Sequence, residues 1–338
     1  SRRGADVLLG AAPARVDSPV RFEPSRPLNP EQVEAVSRAL AARDLFLVHG
    51  PPGTGKSTVL AEVASQSAAA GRRILATAAS NAAVDHLLDL CLGRGLSALR
   101  IGHPARVTPR LVEHTLDAQV EAHPDRKVAR ELLDEAHELL GYARRQRSRG
   151  RSRERHQNAR DAKAEARRLL DEARRKERLI VRSIFDRAQV VCGTLASLFV
   201  SELEDEAFDV ALFDEATQAV EPIALAAFLK AGRVVLAGDH RQLPPTVLSM
   251  EAQSSGLGTS LFERLLEDHG DGIRLMLREQ YRMSEGIMAF PSGETYGGEL
   301  RAHPSVASRT LDEVLERPGL DAPPVLFLDT AGRGFEDE

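Results

Sequence analysis

Tryptophan is absent from this chain of 338 residues, cysteine occurs twice, lysine is scarce, and no positive charge excess exists. Each shortage removes a class of protein. Cys91 and Cys192 stand far apart, with no Cys or His nearby at metal-ligand spacing. Those two thiols argue for a reduced, cytoplasmic protein and against a cysteine-held metal module. No apolar run approaches the ~20 residues that a bilayer span requires, so no membrane partner is expected. The net charge of −5 excludes a polybasic nucleic-acid binder judged on total charge, although a local stripe matters more than the sum. Lys56, Lys127, Lys163, Lys176 and Lys230 are the only lysines beside many arginines; codon bias and phosphate contacts explain that equally well. What remains, 42% hydrophobic and 28% charged residues, is the composition of a soluble globular protein. The chain opens on Ser1 without an apolar leader and reads as a piece cut from something longer.

One stretch organises the rest: Gly50-Pro51-Pro52-Gly53-Thr54-Gly55-Lys56-Ser57-Thr58. The apolar run Leu45–Val48 before it reads as a buried strand, and Val59 to Ala70 after it as a helix stopped by Gly71. Strand, glycine-rich loop and helix turn the pattern G-x-x-x-x-G-K-[ST] into a phosphate cradle. Successive backbone N–H groups and a helix N-terminus converge there on an anion. Lys56 adds a point charge near the outer phosphates of a nucleoside triphosphate, and Ser57 offers its hydroxyl to Mg²⁺.

Around this loop the chain reads in order. Residues 1–27 form a mostly extended, proline-bearing connector. Asn29 caps a helix with Pro30 at its first position, and Val33, Val36 and Leu40 supply its apolar stripe. Gln32 either returns to an adenine, which an amide can both donate to and accept from, or is a surface glutamine. Arg73–Ala78 is a second strand; Ser80 and Asn81 then cap a helix, or hold a sugar-phosphate backbone at the sheet's carboxyl edge. From Leu116 to Phe185, Val128, Leu132, Ala136, Leu139 and Ala143, then Ala162, Ala166, Leu169, Ala173, Ile180 and Ile184, recur at helical spacing. They predict two antiparallel helices of about 25 residues, roughly 40 Å long, joined by a reversal at Ser148–Ser152. The apex gathers Arg144, Arg145, Arg147, Arg149, Arg151, Arg153 and Arg155; with no interleaved aromatic to stack bases, a solvated turn is favoured over a phosphate-gripping tip. Strands follow at Gln189–Cys192, Phe208–Phe213 and Arg233–Ala237. The second of these runs into Asp214-Glu215, acids suited to Mg²⁺ and to polarising an attacking water. The third runs into Gly238–Pro245, where Gln242 senses a γ-phosphate or orients the water. After a strand-like Ile273–Leu277, Arg282 is placed to reach the nucleotide as an arginine finger does. One more strand is expected at Pro324–Asp329.

These stretches together resemble superfamily 1B helicases of the Upf1-like branch, the likeness being nearest to the immunoglobulin mu-binding (Smubp) helicases. The segments that carry it are Leu28–Gln32, Gly50–Thr58, Ala78–Leu87, Arg100–Val107, Gly193–Ser197, Asp214–Gln218, Gly238–Pro245 and Gln280–Met283. The resemblance implies an α/β, RecA-like P-loop fold with a mostly parallel sheet flanked by helices and a long antiparallel helical hairpin as stalk insertion. It implies an ATP-dependent monomer moving 5′ to 3′ on single-stranded DNA or RNA, with ATP and Mg²⁺ as cofactors. Domain 1A would comprise 28–115 and 186–275, the stalk 116–185, and the start of a second RecA-like domain 276–338. Gln32 would recognise adenine; Gly50, Pro51, Pro52, Gly53, Thr54, Gly55, Lys56, Ser57 and Thr58 would hold phosphates; Ser57 and Asp214 would bind the metal. Glu215 would activate water, Gln242 and Arg282 would read the γ-phosphate, and Ser80, Asn81 and Thr194 would touch nucleic acid. Ala79 stands where relatives often have Pro, and Ser284 where His is usual. With the later motifs and a preceding β-barrel missing, this stretch alone is expected to bind nucleotide poorly and to unwind nothing. The alternative function is a nucleotide-gated switch that holds nucleic acid or a protein without translocating; a kinase-like phosphotransferase lacks any sign of a second-substrate site.

Overall fold

A computed structural model describes residues 2–148 and 152–310, together with Glu313 and Val325. Arg149, Gly150 and Arg151 of the expected reversal, and the expected strand Pro324–Asp329 apart from Val325, lie outside the described residues.

In chain order the elements are α1 (Arg2–Leu8), α2 (Pro30–Ala41), β1 (Leu45–His49), α3 (Lys56–Ala69), β2 (Ile74–Ala78), α4 (Asn81–Leu92) and β3 (Ala98–Ile101). There follow α5 (Leu116–Ala122), α6 (Arg126–Ser148), α7 (Arg153–Arg187), β4 (Val190–Thr194), β5 (Phe208–Asp214), α8 (Glu221–Lys230) and β6 (Ala231–Gly238). The last are α9 (Met250–Ala252), α10 (Leu261–His269), β7 (Arg274–Met276), β8 (Glu279–Gln280), α11 (Glu285–Tyr296), β9 (Arg301–Ala302) and α12 (Pro304–Ala307). The main sheet has seven strands in the order β3-β4-β2-β5-β6-β1-β7. β1 pairs in parallel with β6 and β7, and β4 with β2 and β3. Its strands read as continuous apolar runs because helices cover both faces: every residue of β1 and of β2 is buried. The chain is an α/β protein, and it divides into two compact units, Ser1–Gln66 with Ala211–Glu338, and Ser67–Val210.

In the first unit, α2 begins with the expected cap: Asn29 accepts from the Gln32 N–H, and Gln32 returns its side chain to the Asn29 N–H, a reciprocal capping box. Its buried face is set by Ala35, Val36 and Ala39, with Val33 and Leu40 only half-buried. The connector differs from its expected extended form. Its first turns are α1, whose Val7 is buried and whose last carbonyls are taken by His269 (2.8 Å to Val7 O) and Arg264 (2.7 Å to Leu8 O). Side-chain donors at a helix C-terminus take carbonyls that lack an intrahelical partner, and Val7 O accepts from Gly10 N–H at 3.1 Å as well. Residues 276–307 are held to the same unit by a small core of Met276, Met288, Tyr296 and Leu300.

In the second unit, α6 and α7 make the helical hairpin. Ala129, Ala136 and Ala143 recur every seven residues along α6, and Ala159, Ala166, Ala173 and Ile180 along α7, all buried. Small residues at that repeat let two backbones approach closely over a seam. Val128, assigned to the seam by its apolar character, is 41% exposed; Ala129 takes its place. The helices are also unequal, 23 and 35 residues. α7 outlasts α6 because its base stays buried at Ile180, Ile184 and Phe185 and is tied to the chain before α6 by Ser183 with His123 (3.2 Å). No helix among the described residues is long and apolar enough to cross a membrane.

Candidate active site

Between β1 and α3 the chain makes a loop that only its sequence permits. Gly53 and Gly55 have φ of +79° and +85°, where a side chain is strained. A Cβ on Gly50 would stand 2.5 Å from Lys56 Cγ, and one on Gly55 2.5 Å from Gln32 Nε2. Buried Thr54 closes the turn, its hydroxyl donating to Pro51 O at 2.8 Å. Gly50 N–H donates to Gly238 O at 3.1 Å, which pins the loop to the end of β6. The cradle is thus preformed, with the N-terminus of α3 at its floor.

The charged groups converge on it. Lys56 Nζ, almost buried, donates to Gly50 O at 2.8 Å and lies 3.6 Å from Glu215 Oε1. Ser57 Oγ donates to Asp214 Oδ2 at 2.5 Å, joining the first turn of α3 to the end of β5. Glu215 follows in the left-handed region (φ +50°), the sole non-glycine residue with positive φ among those described. Strain of this kind persists where the surroundings over-determine a conformation, and it gathers at functional sites. Burial pushes the Glu215 carboxyl above its usual range, with Lys56 pulling the other way and Asp214 adding to the rise. Glu215 and Gln242 line one cavity of about 390 Å³ with Thr217, Gln218, Arg241 and Leu243.

Gln32 is placed against the loop. Its Oε1 accepts from Asn29 N–H at 3.1 Å and its Nε2 donates to Thr54 O at 3.0 Å, so the amide braces the cradle. Arg282 also lies beside it: Tyr281 N–H donates to Gly53 O at 2.9 Å, and a Cβ on Gly53 would stand 2.6 Å from Arg282 Cβ. Buried Gln280 fixes that turn by accepting from the Arg282 and Met283 N–H groups.

The three residues assigned to nucleic acid fall in the second unit, at one sheet edge. Ala78 at the end of β2 is in register with Thr194 at the end of β4. Ser80 caps α4, accepting from Ala83 N–H at 3.2 Å, and Thr194 carbonyl accepts from Ser197 Oγ at 2.7 Å. Asn81 has a keeper that sequence reasoning missed. Arg100, fully buried on β3, donates to Asn81 Oδ1 at 2.8 Å and to Asp85 Oδ1 at 3.0 Å. Asp85 Oδ2 in turn accepts from Thr108 N–H and hydroxyl at 2.8 and 2.9 Å. With its oxygen occupied, Asn81 is left with amide N–H donors, the polarity that suits a phosphate. The signal was a lone charge inside an apolar strand. Arg100→Ala is expected to destabilise the protein by about 3 kcal/mol or more, because it strands a buried carboxylate. Urea unfolding checks this; an unchanged midpoint would show the pair to be dispensable.

The loop, the acid pair at the end of β5 and the parallel sheet mark a P-loop nucleotide-binding protein. Family models described as AAA domain match residues 27–250 and 257–338. The chain belongs to that family, in its Upf1-like helicase branch. It is 39% identical over 345 residues to "DNA-binding protein SMUBP-2" of Mesocricetus auratus, covering 98% of this chain and 34% of that protein. It is 35% identical to "DNA polymerase alpha-associated DNA helicase A" of Schizosaccharomyces pombe, over 93% of this chain and 46% of that one. An ATP-dependent helicase of Methanocaldococcus jannaschii is 32% identical, over 99% of this chain and 56% of its own length. The chain therefore spans about a third to a half of the curated relatives it matches.

Proposed function

We propose that this chain carries the ATP-hydrolysing site of a motor that moves 5′ to 3′ along single-stranded DNA or RNA. The observation that carries the reading is the convergence of Lys56, Ser57, Asp214 and Glu215 on one preformed cradle, with Gln242 and Glu215 in the same cavity. The residues fit a magnesium–nucleotide complex. Ser57 Oγ and Asp214 Oδ2 are hard oxygen donors already side by side, and the glycines leave room that a Cβ would fill. Ser57 and Asp214 would hold Mg²⁺, which supplies charge neutralisation on the phosphate oxygens. The backbone N–H groups of 50–58 and Lys56 would bind the phosphates. Glu215 would take the proton of the attacking water, Gln242 would orient that water, and Arg282 would approach the γ-phosphate. Gln32 would meet the adenine by exchanging one of its internal hydrogen bonds.

Residues 28–115 and 186–275 would act as the first RecA-like domain, 116–185 as its stalk, and 276–338 as the start of the second. Ser80, Asn81 and Thr194 would grip the strand through its backbone, consistent with the donor left on Asn81. The buried, free Cys91 and Cys192 suit a reducing compartment such as the cytoplasm.

ATP hydrolysis by the complete protein, measured with single-stranded DNA, with RNA and with neither, tests the reading. A motor hydrolyses ATP faster when a strand fills its groove. Turnover indifferent to both polymers would assign the nucleotide-gated switch, and absent turnover would remove both.

A further inference from the structure

Asp239, just after β6, is 1% exposed and accepts four hydrogen bonds. Its Oδ1 accepts from His49 Nε2 at 3.0 Å and from Arg241 N–H at 3.1 Å. Its Oδ2 accepts from Gln242 Nε2 at 2.7 Å and from the Tyr296 hydroxyl at 2.6 Å. Four donors match the four lone-pair sites of a carboxylate. This set holds Asp239 well below the usual carboxylate range against its burial. It also leaves the carboxylate no free lone pair with which to join His49 and His240 around a cation. An ionised carboxylate only accepts, so it fixes which end of the Gln242 amide faces it: the nitrogen is turned to Asp239, which leaves the oxygen free of that contact in a residue that lines a cavity with Glu215. An amide oxygen accepts from a water O–H.

The fourth donor comes from a distant part of the sequence. Tyr296 ends α11, its ring sealed with Met276, Met288 and Leu300. A second bond runs beside it, Arg241 Nη1 to Thr295 O at 2.6 Å. The end of α11 therefore holds residues 239–242 at two points. We infer that Tyr296 is a positioning residue for ATP cleavage: through Asp239 it sets the orientation of Gln242, so the placement of α11 governs the rate of hydrolysis of bound ATP. The inference rests on the ATPase reading above and adds to it a part in the chemistry for a tyrosine that never meets the nucleotide.

The test is Tyr296→Phe in the complete protein, which removes one oxygen and keeps the ring in its core. The expected result is a fall in kcat of about ten- to a hundredfold, the usual cost of small misplacement, with KM for ATP and the affinity for a non-hydrolysable analogue within twofold. Gln242→Ala alone should lower kcat similarly, and the double variant should be no worse than the poorer single one, since both act through one contact. Asp239→Asn, whose amide arm cannot accept, should reproduce the loss if Tyr296→Phe unfolds. Unchanged kcat in Tyr296→Phe, a matched loss of analogue affinity, or losses that multiply in the double variant would overturn the inference. Wild-type protein that hydrolyses no ATP would instead remove the ATPase reading on which it rests.

Discussion

Lys56→Ala in the complete protein is expected to lower ATP turnover at least about a hundredfold, the scale on which loss of a preorganised charge-stabilising donor is felt. The reason is the position of the ammonium group. It is almost fully buried, held by Gly50 O at 2.8 Å, and 3.6 Å from Glu215, so it points into the cradle before any nucleotide arrives. Nothing has to be reorganised when charge builds on the transferred phosphate. The substitution also withdraws a cation that opposes the rise of the Glu215 pKa, leaving that carboxyl harder to ionise. Two losses should follow together: weaker nucleotide affinity, read by titration with a fluorescent analogue, and lower kcat at saturating ATP. Retention of both within threefold would show that the triphosphate binds somewhere else.

How much of this was legible in the sequence depended on whether the signal was local. The loop, the acid pair and the Asn29–Pro30 cap are written in consecutive residues whose steric demands allow few alternatives, and β1, α3 and α2 stand where those residues put them. The hairpin was legible as a period, but the choice between Val128 and Ala129 was not. Apolar character argues for valine, whereas close packing of two helices rewards the smaller side chain, and packing decides. α1 was missed for a related reason: the side chains that take its last carbonyls, Arg264 and His269, lie some 260 positions away. The parts of the site that escaped were its supports. Arg100 beneath Asn81, and His49 and Tyr296 around Asp239, are single residues whose meaning appears only when the sheet brings them together. Glu215 was found, yet its left-handed backbone was not, because nothing in the residue type announces it.

Glu215→Gln separates chemistry from binding most cleanly. Glutamine keeps the shape and a hydrogen-bonding oxygen but cannot take a proton, so steady-state turnover should fall by about 10²- to 10⁴-fold, the usual worth of a general base, while ATP binding persists. Unchanged hydrolysis would remove Glu215 as the base. The wild-type pH profile supplies an independent check. Burial raises the Glu215 pKa, so the proton-accepting carboxylate is lost as pH falls through that raised value, and the acid limb of kcat should lie above the range of an ordinary glutamate (about 4.3). The same shift makes a claim about stability with the opposite sign. A carboxyl whose pKa rises on folding binds its proton more tightly when folded, so ionisation opposes folding above the raised pKa. Glu215→Gln should therefore melt at the same temperature as the wild type or higher at pH 8. The difference should vanish in acid, where the wild-type side chain is itself protonated. A variant that loses turnover and melts several degrees lower at pH 8 would mean that Glu215 serves the fold, and the base would have to be sought elsewhere in the cavity.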